Sequence, residues 1–401
     1  MELDPRAAAG SPLYRRALVA LFGAGVATFA LVYSPQALLP DIAREFAMSA
    51  SASSFAIGAT TLGLAAGMLA WAKVGERVGR VWAMRWAMVL AVAVGLITPF
   101  SPGFASLVVM RFIEGLMLAG LPAIAVTALA ETVAPLALGS AVGAFIAGNT
   151  IGGLSGRIIA ATTAEYFGWH GGLFCVALLA LAGAVLFLIL MPGPVVPAAR
   201  SLPVFRALIE NLRTPAVAVM VAQAFLLMGG FVAAYNYLAF RLQAEPFGLS
   251  PAQVSWLFLA YLAGAAASRG VWLLVRTAPP TGVLLGGLAT MLLGLGVTLL
   301  PWLLAIIVGL VLFTVGFFGA HSVALTLASR RAGDGGRSVA PSLYNLAYYA
   351  GSTLFGWVGG LAFAAAGWGG AVAMVAGLAL VAGGLVWLDA MRRGGLRAAD
   401  G

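Results

Sequence analysis

Charged side chains set inside otherwise apolar stretches are where this sequence could do chemistry. Arg111 and Glu114, in Arg111-Phe112-Ile113-Glu114-Gly115, are three positions apart and so share one helical face. A carboxylate beside a guanidinium is ionised, and it can take up a proton when a change of packing parts the two. The competing reading is a permanent structural bridge. Asp41 and Arg157 close two other apolar runs in comparable layers, and they are expected to pair. His321 is a lone imidazole in an apolar run, either a proton sensor or a hydrogen-bonded structural group. There is no phosphate loop, dinucleotide glycine fingerprint or helical His-Glu-x-x-His pattern. Cys175 is the one cysteine, so neither a disulfide nor a thiolate metal site can form. The reading is therefore not an enzyme, with no metal and no cofactor.

The elements that must hold these charges follow from composition. Of 401 residues, 62% are hydrophobic and 9% charged, against about 25% charged in a soluble domain. So few charges cannot coat a water-facing surface, and lipid must be the main solvent. The 52 glycines suit helices that pack closely within it. A hydrocarbon core about 30 Å thick needs roughly 20 apolar residues per helix. Such runs occur at 17–39, 52–71, 82–99, 104–129, 138–162, 169–191, 214–239, 251–272, 281–299, 301–327, 339–365 and 367–389. The expected fold is all-α and polytopic, twelve transmembrane helices in two pseudo-symmetric six-helix bundles. The polar stretch 192–213 is the linker between bundles at 1–191 and 214–401. Ser250 and Gln253 form a capping box at the start of the eighth span. Met1–Arg16 is polar and leads into a full-length span, which is therefore expected to be retained rather than cleaved.

Of the 22 Lys and Arg residues, all but Arg44, Arg241, Arg111 and Arg157 fall at the termini or in the loops of one side. The positive-inside rule places that side, with both termini, in the cytoplasm. The formal charge of +9 is thus a mark of topology and not of nucleic-acid binding. The halves also repeat. Glu45-Phe46-Ala47-Met48-Ser49 returns as Pro246-Phe247-Gly248-Leu249-Ser250, and Ala147-Gly148-Asn149-Thr150-Ile151 returns 203 positions on as Ala350-Gly351-Ser352-Thr353-Leu354. A parallel repeat of this kind suits alternating access around a central site.

Several motifs resemble those of the major facilitator superfamily. Ala72-Lys73-Val74-Gly75-Glu76-Arg77-Val78-Gly79-Arg80-Val81 is similar to its loop motif Gly-x-x-x-Asp-Arg-x-Gly-Arg-Arg/Lys, with Glu76 for the Asp. That resemblance implies a cytoplasmic gate in which Glu76 faces the start of the eleventh span and Arg80 or Arg77 pairs with Glu131. Arg111 to Gly115 resembles the Arg-x-x-x-Gly motif, which implies proton coupling. Gly148-Asn149-Thr150-Ile151-Gly152-Gly153 resembles the exporters' Gly-Pro-x-x-Gly-Gly, with Asn149 for the proline; packing and direction-setting are both open readings of it. The run from Gly139 to Arg157, with Ser34-Pro35-Gln36 and Gly120-Leu121-Pro122-Ala123, looks like the YnfM-type transport proteins near the arabinose-efflux permeases. In this superfamily the first, fourth, seventh and tenth helices line the central site. The resemblance therefore implies Tyr33, Gln36, Arg111, Gln223, Tyr235, Asn236 and His321 as substrate-binding residues, with Tyr344, Asn345 and Tyr348 added by the eleventh.

The function expected is secondary active transport in the bacterial inner membrane. It would be proton-coupled export of a small drug or sugar-like metabolite by a monomer whose partners are that solute, protons and the bilayer. Proton-coupling groups would be Glu114, Arg111 and Asp41. Two alternatives stand beside it. One is uptake or exchange of a small anion on Arg111 and Arg157; the other is a non-transporting receptor or lipid-handling protein.

Overall fold

The computed structural model describes residues 6–194, 204–333 and 339–395, the side chains of 204–207 excepted. Ten helical stretches among them are long and apolar enough to cross a membrane. Two are far longer than one crossing requires: Pro135–Leu190 has 56 residues and Ala340–Arg392 has 53. Both are broken inside. Gly168 takes φ 66°, and Ala366 leaves helical geometry beside Gly367 at φ 58°, where a side chain would be strained. The breaks fall at the turns read from the sequence, and the pattern is consistent with twelve crossings.

The chain forms two compact units, Met1–Phe46 with Ala59–Arg200 and Ala47–Gly58 with Ser201–Gly401. In the first, α1 (Pro12–Tyr33), a 3-10 turn (Ser34–Leu38) and α2 (Leu39–Glu45) make one interrupted span. α3 (Ala50–Ser53) and the first turn of α4 (Phe55–Val78) belong to the second unit; the first resumes with the rest of α4, then α5 (Arg80–Ile97), α6 (Phe104–Leu118), α7 (Gly120–Thr132) and the broken α8 (Pro135–Leu190). The second unit holds α9 (Val204–Arg213), α10 (Pro215–Gln243), α11 (Pro251–Ser255), α12 (Ala260–Val275), α13 (Pro280–Val297), α14 (Leu303–Arg331) and the broken α15 (Ala340–Arg392). Residues 47–58, grouped with the first half by sequence order, pack with the second unit, where the Thr353 hydroxyl donates to the Gly58 carbonyl (3.0 Å). Part of the linker, 195–203, lies outside the described residues. The Ser250–Gln253 capping box forms as expected, with Ser250 N donating to Gln253 Oε1 (2.9 Å) and Gln253 N to Ser250 Oγ (3.2 Å).

The cores of the two units are built alike. A Cβ on Gly148, Gly152 or Gly156 would strike the backbone of Phe22, Val26 or Ala30, so a small-residue stripe at four-residue spacing seats α8 directly on α1. In the second unit, 203 positions on, a Cβ on Gly351 would strike the carbonyl of Phe225. The repeated segments thus make the same backbone contact in each half. At the neighbouring position the sizes are exchanged: Val26 faces Gly152, while Gly229 faces Phe355.

Candidate functional site

A proline sets up the first unit's polar centre. Pro35 has no N–H to give the Leu31 carbonyl four residues back. The chain tightens into the 3-10 turn Ser34–Leu38, and the freed carbonyl needs another donor in an apolar surrounding. Arg111 of α6 supplies it: its Nη2 donates to Leu31 O (3.0 Å) and Val32 O (2.8 Å), while Ser34 Oγ also reaches Leu31 O (3.0 Å). The other Arg111 nitrogen, Nη1, bonds Glu114 Oε2 at 2.6 Å. Both side chains are sealed, Arg111 at 1% exposure and Glu114 at 0%. Glu114 Oε1 has no hydrogen-bond partner and lies where a Cβ on Gly95 would be 3.0 Å away.

Arg157 of α8 makes a second buried station against the same turn. Its Nε donates to Gln36 Oε1 (2.6 Å), its Nη1 to Gly153 O (2.5 Å), and its guanidinium lies 4.3 Å above the Tyr33 ring. The expected Asp41–Arg157 pair does not form. Asp41 pairs with Arg44 one turn along α2, because Gln36 from the 3-10 turn reaches Arg157 first. Asn149, in the proline's place in the exporter-like motif of α8, sits beside Gly25, and its Oδ1 has no hydrogen-bond partner. Gly153 alone of the motif glycines faces Arg157.

At the loop end of this unit Arg80 pairs with Glu131, joining the start of α5 to the end of α7. Gly79, at φ 95°, makes the turn that aims Arg80; Glu76 and Arg77 are exposed. Arg85 Nη2 caps the end of α8 at Met191 O (2.9 Å). Ala7 adds a contact for which the sequence has no signal, a two-sided bridge to Thr132 O and Ala134 N at 2.9 and 3.0 Å. The two arginines of the opposite loops are both engaged, Arg44 by Asp41 and Arg241 by the carbonyls of Thr298 and Leu300.

The second unit's polar centre is aromatic. His321 of α14 has Nδ1 3.0 Å from the Tyr344 hydroxyl, stacks parallel to Phe317 (10°, 5.6 Å between centroids), and lies 5.3 Å from each of the Tyr344 and Tyr348 rings. His321, Asn345 and Tyr348 are half-buried, whereas Tyr344 is fully enclosed. Tyr235 and Asn236 lie within the packed interior, Tyr235 bonding Thr314 Oγ1 at 2.7 Å and stacking on Phe258. Gln223 is enclosed too: its Nε2 donates to Ala382 O (3.0 Å) while Oε1 has no hydrogen-bond partner. At one end of the unit Asp389 receives Arg331 (3.0 Å) and Arg393 (3.3 Å), with Thr281 also on Arg331 (3.3 Å). A lone carboxylate within the last span was the legible sign of this network.

Sequence residues thus gather into two stations within the first unit, Arg111–Glu114 and Arg157–Gln36–Tyr33, and one within the second, His321–Tyr344–Tyr348 with Asn345 on the same helix. No group of three metal-ligating side chains occurs among the described residues. The family model of the Major Facilitator Superfamily matches residues 19–356. The chain is 36% identical over 383 residues to an uncharacterised MFS-type transporter, YybF, of Bacillus subtilis, covering 95% of this chain and 94% of that one. It is 35% identical over 378 residues to the inner membrane transport protein YnfM of Escherichia coli, covering 93% and 90%. Among solved structures it resembles a bacterial homologue of the human lysosomal transporter Spinster (TM-score 0.77, 15% identity, 94% and 97% covered). It also resembles the xylose transporter XylE of E. coli (TM-score 0.70, 14% identity, 94% and 97% covered).

Proposed function

This chain belongs to the major facilitator superfamily and is a multi-pass membrane transporter, and from that premise we propose that it exports a small organic solute in exchange for protons, with Glu114 as the proton carrier. The observation that carries this reading is the way Arg111 is held. A buried ion pair is ordinarily locked, because parting it strands a charge in a low dielectric. Here Arg111 also donates to the Leu31 and Val32 carbonyls, bonds that do not depend on Glu114 and would hold it were Glu114 neutralised. Glu114 in turn has an unpartnered oxygen, Oε1, on which a proton can reside. Protonation of Glu114 therefore releases α6 from one contact without leaving Arg111 bare, and it does so at the turn where α1 is interrupted.

The remaining residues take supporting roles. Arg80 and Glu131, aimed by Gly79 and flanked by Glu76 and Arg77, tie α5 to α7 so that this end of the unit moves as one body. Tyr33, Gln36 and Arg157 keep the interrupted span in register with α8. Solute contacts are assigned to His321, Asn345 and Tyr348, three half-buried polar residues of α14 and α15 in the second unit. The antiport direction rests on the likeness of Gly148–Gly153 to the exporter motif. The positive-inside distribution of Lys and Arg supports cytoplasmic termini in the inner membrane.

Anion uptake on Arg111 and Arg157 is less well supported, since each guanidinium is 1% exposed and already engaged with two protein partners or more. The test is flux in proteoliposomes of a solute found by thermal-shift screening of the purified protein. The proposal predicts movement driven by an imposed pH gradient and abolished by Glu114→Gln. Flux indifferent to the gradient would support facilitated exchange, and no flux of any stabilising ligand would support a receptor.

A further inference from the structure

We infer that His321 is a specificity residue that offers its Nε2–H as a hydrogen-bond donor to the transported solute, and that the solute therefore carries a carbonyl or carboxylate acceptor beside a flat apolar body. The inference rests on the transporter reading above and deepens it. The tautomer comes first. The Tyr344 hydroxyl has one proton and two acceptors near it, His321 Nδ1 at 3.0 Å and His321 O at 3.4 Å. At 3.4 Å the carbonyl lies beyond the usual O–H···O range, whereas 3.0 Å to Nδ1 is ordinary hydrogen-bond geometry. The shorter contact to Nδ1 takes the proton, so Nδ1 is an acceptor and the neutral ring carries its hydrogen on Nε2.

Nε2 takes no hydrogen bond from the described residues, yet it is not among the sealed polar atoms. It is therefore reached from outside the protein core, on a half-buried ring flanked by Tyr348. Polar groups within spans face a cavity and not lipid, and Asn345 and Tyr348 lie on the same helix as Tyr344, α15. Phe317 and Tyr348 supply flat faces next to the donor. Those rings alone would also suit an organic cation. However, the described carboxylates of this unit are Glu210, Glu245 and Asp389, at the ends of elements or in a loop, with Asp389 held by two arginines. A desolvated cation would meet a donor and no counter-charge, whereas an acceptor would complete the imidazole.

Two readouts test this on the full-length protein. His170→Gln leaves His321 as the single histidine, and ¹⁵N NMR of the imidazole then reports its tautomer directly. The expected state is protonated at Nε2, with the preference lost in Tyr344→Phe; protonation at Nδ1 would overturn the inference. The second readout is thermal-shift titration with 1-naphthoate, 1-naphthamide and 1-naphthylmethylamine, which share a ring system and differ in headgroup. Naphthoate and naphthamide should protect the protein and the amine should not, and His321→Phe, which keeps a flat ring, should weaken naphthoate about tenfold. Equal protection by the amine, unchanged affinity in His321→Phe, or no protection by either acceptor probe would each overturn it. None of these results bears on proton coupling, which is read separately by gradient-driven flux through Glu114.

Discussion

In the first unit Arg111, Glu114 and Arg157 all lie at 1% exposure or less, deep among α1, α6 and α8. In the second, the buried charges among the described residues sit at one end, Asp389 of α15 with Arg331 of α14, and the centre holds His321, Tyr344, Tyr235, Gln223 and Asn236. The two halves nevertheless share a backbone plan down to single contacts: Gly148 on Phe22 and Gly351 on Phe225. Duplication has preserved packing and let the chemistry diverge. Sealed ion-pair chemistry sits at the centre of one half, and a cluster of rings sits at the centre of the other. Ion pairs at one end of each unit show the same divergence, since Arg80–Glu131 joins α5 to α7 whereas Arg331–Asp389 joins α14 to α15.

The largest expected effect breaks that asymmetry. Arg111→Leu leaves Glu114 sealed without its cation and frees the Leu31 and Val32 carbonyls, which should cost about 3–5 kcal/mol. His321→Phe keeps a flat ring but takes Nδ1 from the enclosed Tyr344 hydroxyl, and should cost about 1–3 kcal/mol. Thermal unfolding in detergent compares them, and equal losses would erase the distinction between a charged and an aromatic centre. The shared plan is tested by Gly148→Ala and Gly351→Ala, each driving a methyl into a facing carbonyl at about 1–3 kcal/mol. Markedly unequal losses would mean that the repeat is not mechanical.

The end pairs should differ in a defined order. Arg80→Leu strips Glu131 of its ion-pair partner and should cost about 1–3 kcal/mol. Arg331→Leu should cost less, because Asp389 retains Arg393. The smallest effect is expected from Gly143→Ala, where nothing lies within 4 Å of the new methyl, so helix propensity alone should stabilise by up to about 1 kcal/mol. A loss there would mean that Gly143 is in contact with something other than lipid or solvent.

Much of this plan could be read from the residues. Apolar run length located the spans and the turns at Gly168 and Gly367, because a bilayer fixes helix length and a glycine can turn where other residues are strained. Arg111 and Glu114 were legible as a pair since helical spacing is local. The Arg157 partner was not, because Asp41 and Gln36 lie on one span and only the 3-10 turn after Pro35 decides which of them reaches α8. Ser34-Pro35 did hold the clue that a carbonyl four residues back would need a donor. Helix number alone places Tyr235 and Asn236 in a cavity, and the burial of Tyr235 depends on Tyr261 of α12 and Thr314 of α14, neighbours that no local pattern reveals.

The central claim is that Glu114 carries the proton, and one measurement addresses it most directly. Proteoliposomes holding Glu114→Gln are assayed with a stabilising solute twice, once for solute-for-solute exchange at equal pH and once for accumulation against an imposed pH gradient. Exchange at close to the wild-type rate with no gradient-driven accumulation is the predicted result. Gradient-driven accumulation undiminished in the variant would contradict it and move the proton site elsewhere in the protein.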